Sequence, residues 1–154
     1  MVPVGPLDMS YTAELLCFAR PPHYVWLTLA LAECVLGLAP NPDRVMTWAE
    51  VKTSLRRGPT YVDIVADYKV ADLIPYFIEA SLRVAAELQR DSDSGLDFLR
   101  DPKYMGRVSL ACQIIVKWLR RVWGFYKALV VSKTIELKDS KIKEVLDNLE
   151  LDVY

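Results

Sequence analysis

The sequence predicts an all-α protein, a compact helical bundle whose long C-terminal helix extends into a short coiled-coil-like segment. Residues 108–131, VSLACQIIVKWLRRVWGFYKALVV, place apolar side chains at steps of three and four on two neighbouring stripes. That spacing is the period of a helix packed on several sides. Proline pairs and capping signals divide the rest of the chain into helix-sized pieces. Only residues 62–70 alternate weakly, and Thr60 with Asp63 favours a helix there.

Composition limits the classes of function. A chain of 154 residues predicts one domain, and 53% hydrophobic with 25% charged residues is neither a disordered nor a membrane composition. A net charge of −1 gives no field that attracts phosphate backbones, so no nucleic-acid partner is expected. Cys17, Cys34 and Cys112 are odd in number and embedded in apolar stretches. They predict buried, reduced thiols in a cytoplasmic protein rather than disulfides.

The N-terminal part predicts two helices separated by prolines. A helix over residues 11–20 is stopped by Pro21 and Pro22, which also open the next helix because proline fits a first turn. This second helix, residues 24–38, is very apolar but shorter than the roughly 20 residues that cross a bilayer, and it carries Glu33. The start of the chain has no basic residue of a signal peptide. We therefore expect a buried core helix and no membrane segment.

Capping and turn signals place the helices in the middle of the chain. Thr47 is followed by Glu50 at the capping-box spacing, so a helix is expected to begin there. A short helix is expected over residues 60–66, and a longer one over residues 73–89 with an inward apolar stripe that begins at Ile74. The polar run DSDSG that follows is the predicted loop before the long helical tract.

The C-terminal tail has fewer apolar residues and more Lys, Glu and Asp. Ile135, Ile142 and Leu149 are seven residues apart, as one position of a heptad would be. Two heptads do not form a stable helix alone in water, so the tail needs a surface to lie on. The predicted division is a helical bundle over residues 1–131 and a charged amphipathic helical tail over residues 132–154.

Side chains that carry chemistry are scattered along the chain. His23 is the single histidine and has no partners at metal-ligand spacing, and Cys112 lies on an apolar stripe without an acid–base partner. Residues 91–97 resemble the start of a calcium loop, but Pro102 stands where the closing glutamate belongs. No GxxxxGK[ST] occurs. The sequence therefore predicts no catalytic residue, metal, cofactor or small-molecule substrate, and no enzyme.

Several landmarks occur along the chain in a particular order. In the first half of the chain they are a Pro-Pro pair (Pro21-Pro22), a Leu-Gly near the end of the apolar helix (Leu36-Gly37), a tryptophan that opens a capped helix (Trp48) and an IVADY run (residues 64–68). In the second half they are a DPKY run (residues 101–104), a Ser-x-Ala-Cys segment (residues 109–112), a tryptophan (Trp118) and a phenylalanine (Phe125). This order, over about residues 14–133, resembles the helical region at the base of the dynein heavy-chain stalk, just before the first coiled-coil strand.

The resemblance implies a non-catalytic structural or adaptor subunit of a ciliary (axonemal) or other microtubule-associated assembly, which acts by protein docking. Expected partners are axonemal subunits or tubulin, and the expected location is the cytoplasmic cytoskeleton of a cilium or flagellum. The chain departs from the family at Met105-Gly106-Arg107, where a Pro-Glu pair is usual, and it stops at Tyr154 without a microtubule-binding tip or a returning helix. The alternative is a fragment of a dynein heavy chain that serves as a mechanical coupling element of the motor.

The candidate protein interface has a basic and an apolar part. In the resemblance Trp118 matches a core position, whereas nothing accounts for Trp123, which we therefore expect to be an exposed anchor. The basic stripe is either a solvated face that keeps an apolar helix soluble or a docking stripe for an acidic surface such as tubulin. The candidate interface residues are Lys117, Arg120, Arg121, Trp123, Lys127, Ile142, Val145 and Leu149.

Overall fold

The predicted all-α class is confirmed. The computed structural model describes residues 9–56, 65, 67–91, 96–103 and 109–152, and the regular elements in these ranges are all helical. They are α1 (Met9–Leu16), α2 (His23–Val35), α3 (Trp48–Leu55), a 3-10 turn (Val70–Asp72), α4 (Pro75–Asp91), α5 (Asp97–Arg100), α6 (Leu110–Val131) and α7 (Ser140–Asn148). The helix expected over residues 60–66 and the polar run 91–95 lie almost entirely outside the described residues.

Helix α2 is the centre of the bundle. It packs against α3, α4 and α6, and its residues from Leu27 to Val35 are all buried, which confirms the predicted core helix. Even Glu33 is fully buried, where its Oε2 accepts a hydrogen bond of 2.7 Å from the Ser54 hydroxyl of α3. Among the described residues, no helix combines the length and the apolar character that a bilayer crossing requires.

The end of α2 depends on a glycine. Gly37 has a φ of +75°, and the Leu38 N–H donates to the Glu33 carbonyl at 2.9 Å, a pairing typical of helix ends with a left-handed residue. A Cβ at position 37 would lie 2.6 Å from a ring carbon of Phe77 on α4. The chain therefore turns closely past α4 at this point.

Gly37→Ala is expected to lower the free energy of unfolding by roughly 1–2 kcal/mol, because a side chain at positive φ is strained. Urea unfolding of both proteins measures the loss. Gly37→Asn is the matched control, since asparagine tolerates this conformation better than alanine but adds the same Cβ. An alanine variant as stable as the wild type contradicts the argument, and equal losses in both variants assign the effect to the Phe77 contact instead.

The capping box predicted at the start of α3 is confirmed. The Thr47 hydroxyl accepts from the Glu50 N–H at 3.2 Å, and Glu50 Oε1 accepts from the Thr47 N–H at 2.9 Å. The Arg44 guanidinium also donates to both Glu50 carboxylate oxygens, at 2.8 and 2.9 Å. This ion pair, with the backbone bond from Thr47, lowers the pKa of Glu50 to about 2. The carboxylate is therefore ionised throughout the neutral range.

Helix α6 has the wide apolar surface that its two stripes predict. It contacts α1, α2 and α4, and its buried residues are Ala111, Cys112, Ile114, Ile115, Val116, Trp118, Leu119, Val122, Trp123, Gly124 and Tyr126. The Ser109 hydroxyl caps its first turn by accepting from the Cys112 N–H at 3.2 Å. Trp118 is fully buried and meets the Tyr68 ring edge-on, with ring centroids 5.3 Å apart.

The predicted extension of the long helix into the tail is wrong. Helix α6 ends at Val131, Lys133 adopts a φ of +60°, and the Leu129 carbonyl accepts from the N–H groups of Thr134 and Ile135. The chain then reverses, and α7 packs along α4. The apolar residues of the tail are therefore covered by α4 of the same chain and not by a partner.

Candidate docking surfaces

Arg120, a predicted docking residue, is engaged within the chain. Its Nη1 donates to the carbonyls of Leu99 and Leu149, each at 2.8 Å, and its Nη2 donates to the Glu150 carbonyl at 3.0 Å. Arg100 adds a bond of 2.7 Å from Nε to the Asn148 carbonyl. We call this pair of arginines the carbonyl clamp. It binds the C-terminal end of α7, where a helix has unpaired carbonyls and its negative dipole end.

The prediction of Trp123 as an exposed anchor is wrong. Its side chain is fully buried, and its Nε1 donates to the Ser81 hydroxyl of α4 at 3.0 Å. Ser81 in turn donates to the Ile78 carbonyl at 2.6 Å. The indole lies on the side of α6 that faces α4, so a second helix covers the surface that a partner was expected to contact.

The three apolar tail candidates belong to the chain's own core. Ile142, Val145 and Leu149 have no exposed surface, and α7 packs along α4. Their heptad-like spacing therefore describes the face of a short helix that docks inside the bundle. They are not available to a partner while α7 is in place.

The remaining basic candidates on α6 keep some exposed surface. Lys117 is exposed, whereas Arg121 and Lys127 are half-buried. Lys117 and Arg121 are one turn apart, and we call these two residues the basic face, whereas Lys127 lies about 120° around the helix from Arg121. Leu110 and Val131, at the two ends of the same helix, are 49% and 64% exposed. This arrangement agrees with either interpretation of the stripe, a solvated face or a docking surface.

An apolar groove lies between the end of α2 and the start of α4. It is a shallow, open depression of about 370 Å³, and we call it the acidic groove because Asp67 and Asp72 line it. Its other lining residues are Val35, Leu36, Tyr68, Ile74 and Phe77.

Sequence reasoning did not identify this groove. It placed Ile74 on the inward stripe of α4, but the side chain is 48% exposed, and Tyr76 beside it is 55% exposed. The sequence signal is the pair of large apolar residues that flank Pro75 at the beginning of α4, shortly after the 3-10 turn that ends at Asp72.

The polar groups of the groove have defined surroundings. Asp67 and Asp72 are both exposed, and Asp72 Oδ2 accepts from the Lys69 N–H at 2.9 Å, which fixes this carboxylate at the rim. The Tyr68 hydroxyl is buried without a hydrogen-bond partner, and burial raises the pKa of this phenol to about 12. The described lining thus has two carboxylates and no cation.

The residues considered for metal or nucleophile chemistry lie apart. His23 is exposed and stacks on Trp26, with ring centroids 5.4 Å apart. Burial raises the pKa of the Cys112 thiol to about 12 and that of Cys34 to about 11, whereas Cys17 is exposed, contrary to the expectation of three buried thiols. Within the described part of the chain, no three His, Cys, Asp or Glu residues form a group suited to a metal ion.

No protein-family model matches the chain, and no curated protein matches it significantly. The resemblance to the dynein stalk base therefore rests on the landmark residues alone.

Proposed function

We propose that this chain is a non-catalytic docking subunit of a larger protein assembly. The observation that carries the proposal is the acidic groove, where Ile74 and Tyr76 stand 48% and 55% exposed beside a concave apolar surface. Apolar surface in contact with water costs roughly 25 cal/mol per Å². An apolar patch with a polar rim is typical of a protein interaction site. A partner that covers this groove gains that free energy.

The basic face supports an adaptor role because it is a second charged surface on a different helix. Lys117 and Arg121 lie on α6, whereas the carboxylates of the acidic groove precede α4. Complementary charge speeds association and selects partners more than it raises affinity. A chain with one acidic and one basic surface is suited to join two different partners.

The stalk-base landmarks support a microtubule-based assembly such as a ciliary axoneme, with axonemal subunits or tubulin as the partners. The basic face complements the acidic outer surface of a microtubule. The chain reversal after Val131 favours a docking subunit over a mechanical coupling element, because coupling requires a rigid helix that leaves the bundle.

A fluorescent tag tests this location. The tagged chain is expected on cilia or other microtubule structures, and Lys117→Glu with Arg121→Glu is expected to make it diffuse. Lys138→Glu with Lys143→Glu changes the charge equally at exposed positions and serves as the control. A wild-type chain that is diffuse throughout the cell contradicts the microtubule proposal and leaves the docking proposal to the following test.

Site-specific photo-crosslinking tests the docking function. With p-benzoylphenylalanine at position 76, we expect discrete higher-mass adducts in cells, because this side chain stands beside the groove. The same group at Lys138, whose side chain is 81% exposed, is the control and is expected to give none. Ile74→Ser is expected to remove the adducts at position 76. No adduct at position 76, or the same adducts at both positions, refutes docking at this groove.

A further inference from the structure

We infer that the acidic groove binds a short amphipathic helix of a partner protein, one that presents apolar side chains three or four residues apart with lysine or arginine beside them. The inference rests on the proposed docking function and specifies the chemistry of the partner. Three properties of the groove carry it: its apolar lining, the helical structure of its walls and the sign of its charge.

The apolar lining determines which side chains of the partner fit into the groove. Val35 and Leu36 at the end of α2 face Phe77 at the start of α4, and Ile74 stands at the edge. A volume of about 370 Å³ is near the small end of ligand pockets, so it takes a few side chains rather than a whole chain segment. Apolar side chains one helical turn apart on one face of a helix fit such a space.

The helical structure of the walls favours a helix over an extended peptide. An extended peptide is typically bound by adding a strand to an exposed sheet edge. The described elements that line this groove are α2, α4 and the 3-10 turn, so they present no strand edge to such a peptide. A partner helix satisfies its own backbone and needs only side-chain contacts from these walls.

The charge of the rim selects basic residues in the partner. Asp67 and Asp72 are exposed, and they are the charged side chains among the described residues that line the groove. The Lys69 N–H holds Asp72 in position without neutralising it. Cationic side chains beside the apolar anchor can pair with these carboxylates, and acidic segments are repelled.

Selection from a peptide library tests the inference without a known partner. Phage-displayed random peptides of about 16 residues, roughly four helical turns, are selected on the full chain and counter-selected on Ile74→Ser. Serine is a favoured residue immediately before a helix, so this variant is expected to keep its fold, and circular dichroism checks that it does. The enriched peptides are expected to share two apolar residues three or four apart, with lysine or arginine on both sides.

The affinity of an enriched peptide, measured by fluorescence anisotropy, tests the charge. Asp67→Asn with Asp72→Asn is expected to weaken binding roughly three- to tenfold, with a smaller effect in about 0.5 M salt. Ile74→Ser is expected to weaken binding about tenfold or more. Glu136→Gln with Glu144→Gln removes the same charge at exposed positions outside the groove, and we expect unchanged affinity.

Three results overturn the inference: no enriched sequence, enriched sequences without basic residues, or binding that is indifferent to the two aspartates. If the adducts at position 76 persist while any of these results is obtained, the groove docks a partner of different chemistry and the proposed function stands. If the adducts are also absent, the docking function is refuted as well.

Discussion

Arg120→Met is expected to lower the free energy of unfolding by roughly 2–4 kcal/mol, because it removes three hydrogen bonds from a charged donor to backbone carbonyls. Two of those carbonyls belong to Leu99 and Leu149, which are fully buried and would lose their donor. Methionine keeps much of the apolar stem of arginine, so the loss reports mainly on the guanidinium. Urea unfolding measures it directly.

The same substitution is expected to loosen α7 before the rest of the bundle. The carbonyl clamp holds the end of this helix, so hydrogen exchange of its backbone amides is expected to accelerate more than that of α2. Lys117→Met is the control, since it removes a charge from the exposed side of the same helix and is expected to change stability by less than about 0.5 kcal/mol. Equal losses in the two variants, or unchanged exchange in α7, contradict the role assigned to Arg120.

The sequence correctly predicted that the apolar residues of the tail must pack against another surface. It did not show that this surface belongs to the same chain. Ile142 and Leu149 recur at a spacing that suits any neighbouring helix, whether it belongs to the same chain or to a partner. The reversal that brings them back occurs at Lys133, a non-glycine residue at positive φ, so the usual glycine signal for the end of a helix is missing there. Periodicity reports which side of a helix is buried, but it carries no information about the covering surface.

The acidic groove was missed for a related reason. The apolar stripe of α4 is confirmed for Ile78, Leu82 and Ala85, which are fully buried. Ile74 is one turn earlier in the same pattern, yet it lies at the level where α2 has already ended and the chain turns away at Gly37. An apolar residue in step with the core is exposed when the opposing helix is too short to reach it. The lengths of two helices that pack together decide this, and their relative position cannot be read from the pattern of one of them.

Trp123→Ala is expected to lower the free energy of unfolding by roughly 3–5 kcal/mol, the usual cost of emptying a buried aromatic site. The cavity would open between α6 and α4, and the Ser81 hydroxyl would lose the indole donor that it accepts from. Tyr76→Ala is the matched control, because it truncates an aromatic residue that is 55% exposed, and we expect a loss below about 1 kcal/mol. Chemical unfolding of the two variants gives both values.

Trp123→Phe separates the hydrogen bond from the packing. It keeps an aromatic ring but removes the N–H that donates to Ser81, and we expect it to retain most of the stability that alanine loses. Ser81→Ala completes a double-mutant cycle, in which a coupling of about 1 kcal/mol is expected for a buried hydrogen bond. If Trp123→Ala lowered the free energy of unfolding as little as Tyr76→Ala does, the indole would contribute little to the stability of the bundle. That result would favour the original prediction of Trp123 as a surface anchor. If instead Trp123→Ala causes a large loss of stability and Tyr76→Ala a small one, Trp123 is a core residue and Tyr76, next to the groove, is the aromatic residue available to a partner.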